Sequence, residues 1–205
     1  MGRQKEEKKE AILNAAFEIF KKYGLKKATL DDIAREAGMA NTSLYYYFSN
    51  KDDLFQALIR RECESMLEQE KKAIAEAHNP KDKFSASWTT FRSMLEYHFD
   101  SLSTNEFKNL RESIWEAHEF VNKYQNEHEQ LIKQVLQAGI EQSVFKKCDV
   151  GLVATSVSAC RKGLFQEFIE SEMPIDRMSK VMDSLLDLIL HGLENTRVGR
   201  VGTEE

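Results

Sequence analysis

Within seven positions the chain carries Asn41, Thr42, Ser43, Tyr45, Tyr46 and Tyr47. Those side chains suit one kind of chemistry, the reading and gripping of a nucleic acid. An amide can make paired hydrogen bonds to adenine, and a threonine can touch a thymine methyl or bond base edges. Tyrosine hydroxyls can bond phosphate oxygens. Helical geometry decides whether one element can present them. At about 100° per residue, Leu44 and Phe48 fall on nearly one line and suit a core. Thr42 and Tyr46 then lie about 160° away, on the outward face, flanked by Ser43 and Tyr45. Tyr47 sits only about 60° from Leu44, so it serves either a small core or the backbone of the nucleic acid.

The elements around this segment are built to hold it. Ile12, Ala15, Ala16, Ile19, Phe20 and Tyr23 recur at three- and four-residue spacing and predict a helix over 5–23, ended by Gly24. Thr29 to Asp32 has capping-box form, and a short helix follows with Ile33, Ala34 and Ala37 inward until Gly38 stops it. A tight turn there needs a left-handed residue, which glycine supplies. A third helix over 41–47 completes a helix-turn-helix pattern, whose second helix enters the major groove. Ser49 and Asn50 cap a fourth helix, with Asp52 and Asp53 in its first turn where the dipole favours acids. Leu54, Leu58, Cys63 and Leu67 carry it to about Ala77, before the break at Asn79-Pro80. Beyond the break, helices are expected near 81–102, 105–122, 126–145, 149–171 and 175–195, with Asp149 and Pro174 as start signals.

Composition agrees with an all-helical chain. Only 2 Pro and 9 Gly occur in 205 residues, too few for the turns of an all-β protein. No apolar run approaches the roughly 18 residues of a membrane span, and the charged N-terminus lacks a secretory core, so the expected location is the cytoplasm and no membrane partner is expected. Net charge is -5, yet residues 1–51 hold ten Lys/Arg against seven acids. A basic start on an acidic chain fits nucleic acid. Three widely spaced cysteines, with no Cys-x-x-Cys, read as reduced and mostly buried thiols. None of the five histidines has Glu three residues before it or a histidine partner four residues away, so neither a di-iron carboxylate bundle nor a His-pair metal site is expected. No G-x-S-x-G, P-loop or G-x-G-x-x-G is present. The chain is read as a non-enzyme without cofactor.

The last two helices are the most apolar. Leu152, Val153, Val157, Leu164, Phe165 and Phe168 recur on one, and Met178, Val181, Met182, Leu185, Leu188, Ile189 and Leu193 on the other. Ala154, Ser158, Ala159, Gly163 and Gly192 would allow close helix approach, so two helices from each of two copies could form a four-helix bundle. The middle helices concentrate aromatic and polar-tipped groups, among them Trp88, Phe91, Tyr97, His98, Phe107, Trp115, His118 and Tyr124. Such a set suits a hydrophobic or planar ligand.

Residues 29–38 (Thr-Leu-Asp-Asp-Ile-Ala-Arg-Glu-Ala-Gly), then Ser43-Leu-Tyr-Tyr-Tyr-Phe48 and Lys51, resemble the DNA-binding head of the tetracycline-repressor (TetR) family over roughly residues 8–60. The resemblance implies an all-α fold: a three-helix head (residues 1–55) joined through the long fourth helix to a helical ligand-binding and dimerisation domain (56–196), with a tail (197–205). It implies a homodimer, joined through the last two helices, that binds a near-palindromic double-stranded DNA operator and is released by a small-molecule effector. Thr29 would contact phosphate, Asn41 and Thr42 base edges with Tyr46 beside them, Ser43, Tyr45 and Tyr47 the DNA backbone, and Lys51 phosphate. Trp88, Phe91, Trp115 and His118 are the expected lining of the effector pocket. Two positions depart from the pattern: Ala40 stands where members often place a capping Ser, and Asn41 where Lys is frequent. The alternative reading is a dimeric helix-turn-helix protein with no effector.

Overall fold

The computed structural model describes residues 2–101, 118–170 and 173–195. Among these residues there are eight helices: α1 (Gly2–Lys27), α2 (Leu30–Glu36), α3 (Asn41–Leu44), α4 (Lys51–Glu76), α5 (Pro80–Ser101), α6 (His118–Glu141), α7 (Val150–Glu170) and α8 (Ile175–Leu193). The only β feature described is an isolated antiparallel bridge between Phe145 and Glu194. The chain divides into two compact units, residues 1–65 with 99–123, and 66–98 with 124–205, so α4 supplies residues to both.

The first unit is set by local signals. Gly24 breaks the helical path of α1 at φ 73°. Thr29 caps α2: its side chain accepts from the Asp32 amide at 3.1 Å. Replacing Thr29 by alanine is expected to cost about 1 kcal/mol, measured by urea unfolding. At the other end of α2, the Met39 amide bonds the Ala34 carbonyl and the Gly38 amide bonds the Arg35 carbonyl, a helix-ending motif that requires the left-handed Gly38 (φ 65°). Around this corner Ile12, Ala16, Phe20, Ile33, Leu44, Phe48, Leu54 and Phe55 form a closed apolar core, with Phe20 and Phe55 meeting edge to face at 5.4 Å. The Asn50 side chain accepts from the Asp53 amide while Asp53 accepts from the Ser49 amide, a reciprocal cap at the start of α4.

In the second unit the Asn79 side chain accepts from the Asp82 amide to start α5, and Asp149 accepts from the Leu152 amide to start α7. Trp88 and Phe91 on α5 are buried, as are Leu136, Val157 and Met182. The Trp88 indole donates to the Met182 carbonyl of α8 at 3.0 Å.

Three expectations are corrected. The predicted break between 122 and 126 does not exist, because α6 runs unbroken from His118 to Glu141. The third helix is α-helical only over Asn41–Leu44; the Tyr46 and Tyr47 amides then bond the carbonyls three residues back and tighten the last turn. Cys63 is buried, but Cys148 is half-buried and Cys160 exposed.

Candidate nucleic-acid interface

The helix α3 is pinned from below and open above. Leu44 and Phe48 are buried in the core, whereas Thr42, Ser43, Tyr45 and Tyr46 are exposed. Tyr46 reaches 72% exposure, so most of its ring stands clear of the core. Its ring meets Tyr47 edge to face at 5.2 Å, and the Lys5 ammonium lies 5.2 Å from its centroid. Tyr47 is half-buried against the core, the intermediate place that its angle from Leu44 predicts.

Three of the expected contact residues already have partners. The Thr29 hydroxyl is spent on the α2 cap. The Lys51 ammonium donates to the carbonyls of Ala28 (2.9 Å) and Lys26 (3.3 Å), which leaves one of its three protons for another acceptor. The Asn41 amide nitrogen donates to Asp31 at the start of α2, and its oxygen is buried without a hydrogen-bond partner among the described residues. Pairing of Asn41 with adenine therefore requires a side-chain rotation away from Asp31. Ala40 gives α3 no side-chain cap.

Of the expected effector-pocket residues, Trp88 and Phe91 lie buried in the second unit. Trp115 lies outside the described residues, as does the side chain of His118. Phe91 stacks on the Arg161 guanidinium, 4.4 Å from centroid to Cζ. That contact leads to polar groups the sequence reading did not single out. Glu70 (α4) and Ser87 (α5) are each 1% exposed, His128 (α6) 2% and Arg161 (α7) 5%. Arg161 donates to Glu70 Oε1 at 3.0 Å, Ser87 donates its hydroxyl proton to the same oxygen, and Arg161 also reaches the Tyr124 hydroxyl at 3.2 Å. Hydrogen bonds from His128 and Ser87 and the charge of Arg161 outweigh burial and hold the Glu70 carboxyl down at about 2. Burial, then the Arg161 charge, pushes His128 below its ordinary value and keeps it neutral. Glu70, ionised, can only accept, so His128 Nδ1, 2.7 Å from Glu70 Oε1, carries the imidazole proton, while Arg161 Nη1 lies 2.7 Å from Nδ1 and 2.9 Å from Nε2, the ring nitrogen left to accept. The signal was present in the sequence as polar residues on apolar lines: Cys63–Leu67–Glu70, Phe84–Ser87–Phe91, His128–Ile132 and Val157–Arg161–Leu164 all follow helical spacing.

A helix-turn-helix with an outward face of Thr42 and Tyr46, among described residues that are otherwise helical, defines a DNA-binding regulator. Comparison with known proteins agrees. Residues 12–58 match the family model for bacterial regulatory proteins of the tetR family. It is 23% identical over 194 residues to the fatty acid metabolism regulator protein of Bacillus subtilis, covering 94% of this chain and 99% of that one. The HTH-type transcriptional regulator RutR of Escherichia coli is 43% identical over 54 residues, 26% of each chain. Among solved structures, FadR from Bacillus subtilis in complex with stearoyl-CoA shares the fold at a TM-score of 0.68 and 21% identity, over 89% of this chain and 97% of that one. These relatives are regulators of transcription, not enzymes.

Proposed function

We propose that the protein is a cytoplasmic, homodimeric repressor that binds a palindromic operator and is released by a largely hydrophobic effector, with a long-chain fatty acyl-CoA as the leading class. The observation that carries the DNA half is the exposed Thr42–Tyr46 face of α3 above the buried Leu44 and Phe48. The effector class is supported by the end-to-end likeness to a fatty acid metabolism regulator and by the fold shared with a regulator bound to stearoyl-CoA. Dimerisation through α7 and α8 is supported by Leu152 and Leu188, 66% and 67% exposed, and by Val181, 38% exposed, all on the apolar stripes of these two helices. A Cβ on Gly163 or Gly192 would meet nothing within 4 Å, so packing within one chain does not demand glycine there, whereas close approach of a second copy would.

In this reading Thr42, Asn41 and Tyr46 face base edges, Ser43, Tyr45, Tyr47 and Lys51 hold the DNA backbone, and Thr29 joins them once its hydroxyl proton turns from Asp32 to phosphate. Thr42→Ala relaxes preference at one or two base pairs by about 1–3 kcal/mol. Lys51→Ala weakens binding to all sequences alike and flattens the salt dependence. Quantitative footprinting on an operator and its point variants separates the two; a change of preferred sequence with Lys51→Ala alone reverses the assignment.

Because α4 carries Lys51 at its start and contributes to both units, it is the element through which effector binding reaches the DNA contacts. The test is a gel-shift on DNA upstream of the protein's own gene, with stearoyl-CoA titrated in. Release is expected, together with a weaker stearoyl-CoA affinity in the presence of operator by the same factor, typically 5–150-fold. Operator binding that stearoyl-CoA leaves unchanged would favour the effector-free alternative.

A further inference from the structure

Glu70 is ionised and buried, and only one of its two oxygens is satisfied. Oε1 takes the Ser87 hydroxyl, the His128 Nδ1–H and the Arg161 guanidinium. Oε2, also buried, has no hydrogen-bond partner among the described residues. A buried carboxylate oxygen without a donor is costly, because it has lost its water and gained nothing in exchange. The Ser158 hydroxyl, one helical turn before Arg161 on α7, is likewise buried and unpartnered among the described residues. The open Glu70 oxygen is ready for a guest that brings a donor.

The charges say which kind. Glu70 is negative, Arg161 positive and His128 neutral, so the cluster is balanced as it stands. A carboxylate or phosphate entering here would meet the open oxygen of Glu70 and would have to take Arg161 from it. An ammonium would leave an uncompensated positive charge in a site where charge is expensive. A neutral hydroxyl or amide N–H alters the balance by nothing and satisfies Oε2 directly. The apolar neighbours are on the same helices: Ser87 is next to Trp88 and one turn from Phe91, which itself stacks on Arg161. We infer that the Glu70–Ser87–His128–Arg161 cluster is an effector subsite, in which Glu70 Oε2 accepts a hydrogen bond from a neutral donor, a hydroxyl or an amide N–H, on an otherwise hydrophobic ligand.

This inference rests on the effector-released reading and sharpens it. A thioester has no N–H or O–H, so in an acyl-CoA the donor at Glu70 is an amide or hydroxyl of the pantetheine arm, or a hydroxyl on the acyl chain.

The experiment uses four ten-carbon probes that differ only at one end: decanol, decanamide, decanoate and decylammonium. Each is titrated into the full-length protein by calorimetry at pH 7.5. Decanol and decanamide are expected to bind at least tenfold more tightly than decanoate and decylammonium. In the double variant Glu70→Gln, Arg161→Met, which removes both charges together, that preference is expected to disappear. Should the double variant fail to fold, the ranking in the wild-type protein decides alone. Decanoate or decylammonium binding as tightly as decanol, or no binding by any of the four, overturns the subsite and leaves Glu70 Oε2 as a place for water. A gel-shift in the same samples keeps the two ideas apart. Decanol that binds with the expected preference but leaves the operator complex intact sinks effector release and keeps the subsite; stearoyl-CoA that releases DNA while decanoate outranks decanol does the reverse.

Discussion

Arg161→Met is expected to destabilise the protein by about 3–5 kcal/mol at pH 7.5, because it leaves the Glu70 carboxylate buried without its counter-charge. Ser87 and His128 still donate to Glu70 Oε1, but two neutral hydrogen bonds do not replace a guanidinium. The loss should depend on pH in a defined direction. In the native cluster Arg161 helps to hold His128 neutral. Once Arg161 is gone, the imidazole faces an unpaired carboxylate, so its affinity for a proton rises and His128 becomes the missing cation as pH falls. The deficit of the variant relative to wild type should therefore shrink on the acid side of neutrality. Wild type itself moves the other way. Its His128, held below the ordinary 6.5, binds fewer protons folded than unfolded, so stability declines as pH falls below about 6.5. Glu70, held at about 2 against an ordinary 4.5, adds roughly 3 kcal/mol that is fully present above 4.5 and is lost as pH falls towards 2. Urea unfolding of both proteins at pH 7.5 and 5.5 measures the two slopes. A deficit of constant size would mean that His128 does not answer to Arg161. Restoring neutrality with Glu70→Gln in the Arg161→Met background should recover most of the stability.

Gly139→Ala is expected to be nearly as damaging, for a steric reason. Gly139 lies near the end of α6, and the chain turns back over it so that the Val144 and Phe145 amides both bond the Gly139 carbonyl, at 2.9 and 3.0 Å. The Phe145 ring covers the glycine so closely that an added Cβ would stand 2.0 Å from Cδ2 and 2.4 Å from Cε2. No rotation of a few degrees clears that overlap; the buried ring has to leave its site. Phe145 is also part of the clasp that ties this loop to the end of α8, where the Lys146 amide bonds the Leu193 carbonyl and the Asn195 amide bonds that of Val144. The expected cost is about 3 kcal/mol, the upper part of the range for overpacking. Phe145→Ala alone should cost about 3–5 kcal/mol through the cavity it leaves. The double variant should cost no more than Phe145→Ala, since the clash disappears with the ring. Additive losses in the denaturation midpoints would show that Gly139 matters through its backbone rather than through Phe145.

The parts of the molecule that were legible in the sequence are those held by short-range bonds. Thr29 with Asp32, Asn50 with Asp53 and Asp149 with Leu152 interact across three residues, so each helix start could be read where it occurs. Gly38 could be read because only its backbone tolerates the turn. The outward face of α3 followed from helical angles alone, since Leu44 and Phe48 had to be inside. Local rules also misled. The break expected between 122 and 126 is helical instead, and Tyr124 within it meets Arg161 from 37 residues away in sequence.

What the sequence by itself determined, then, is an all-helical chain with a DNA-reading head, because periodicity, caps and turn chemistry act within a few residues of one another. What only the tertiary structure decided is where the polar groups go. Glu70 meets Ser87, His128 and Arg161 across separations of 17, 58 and 91 residues, and Lys51 turns back to carbonyls 23 and 25 residues before it. Helical spacing tells which face of its own helix a residue occupies. It carries no information about which other helix that face will meet, and so no information about whether a buried charge finds a partner there.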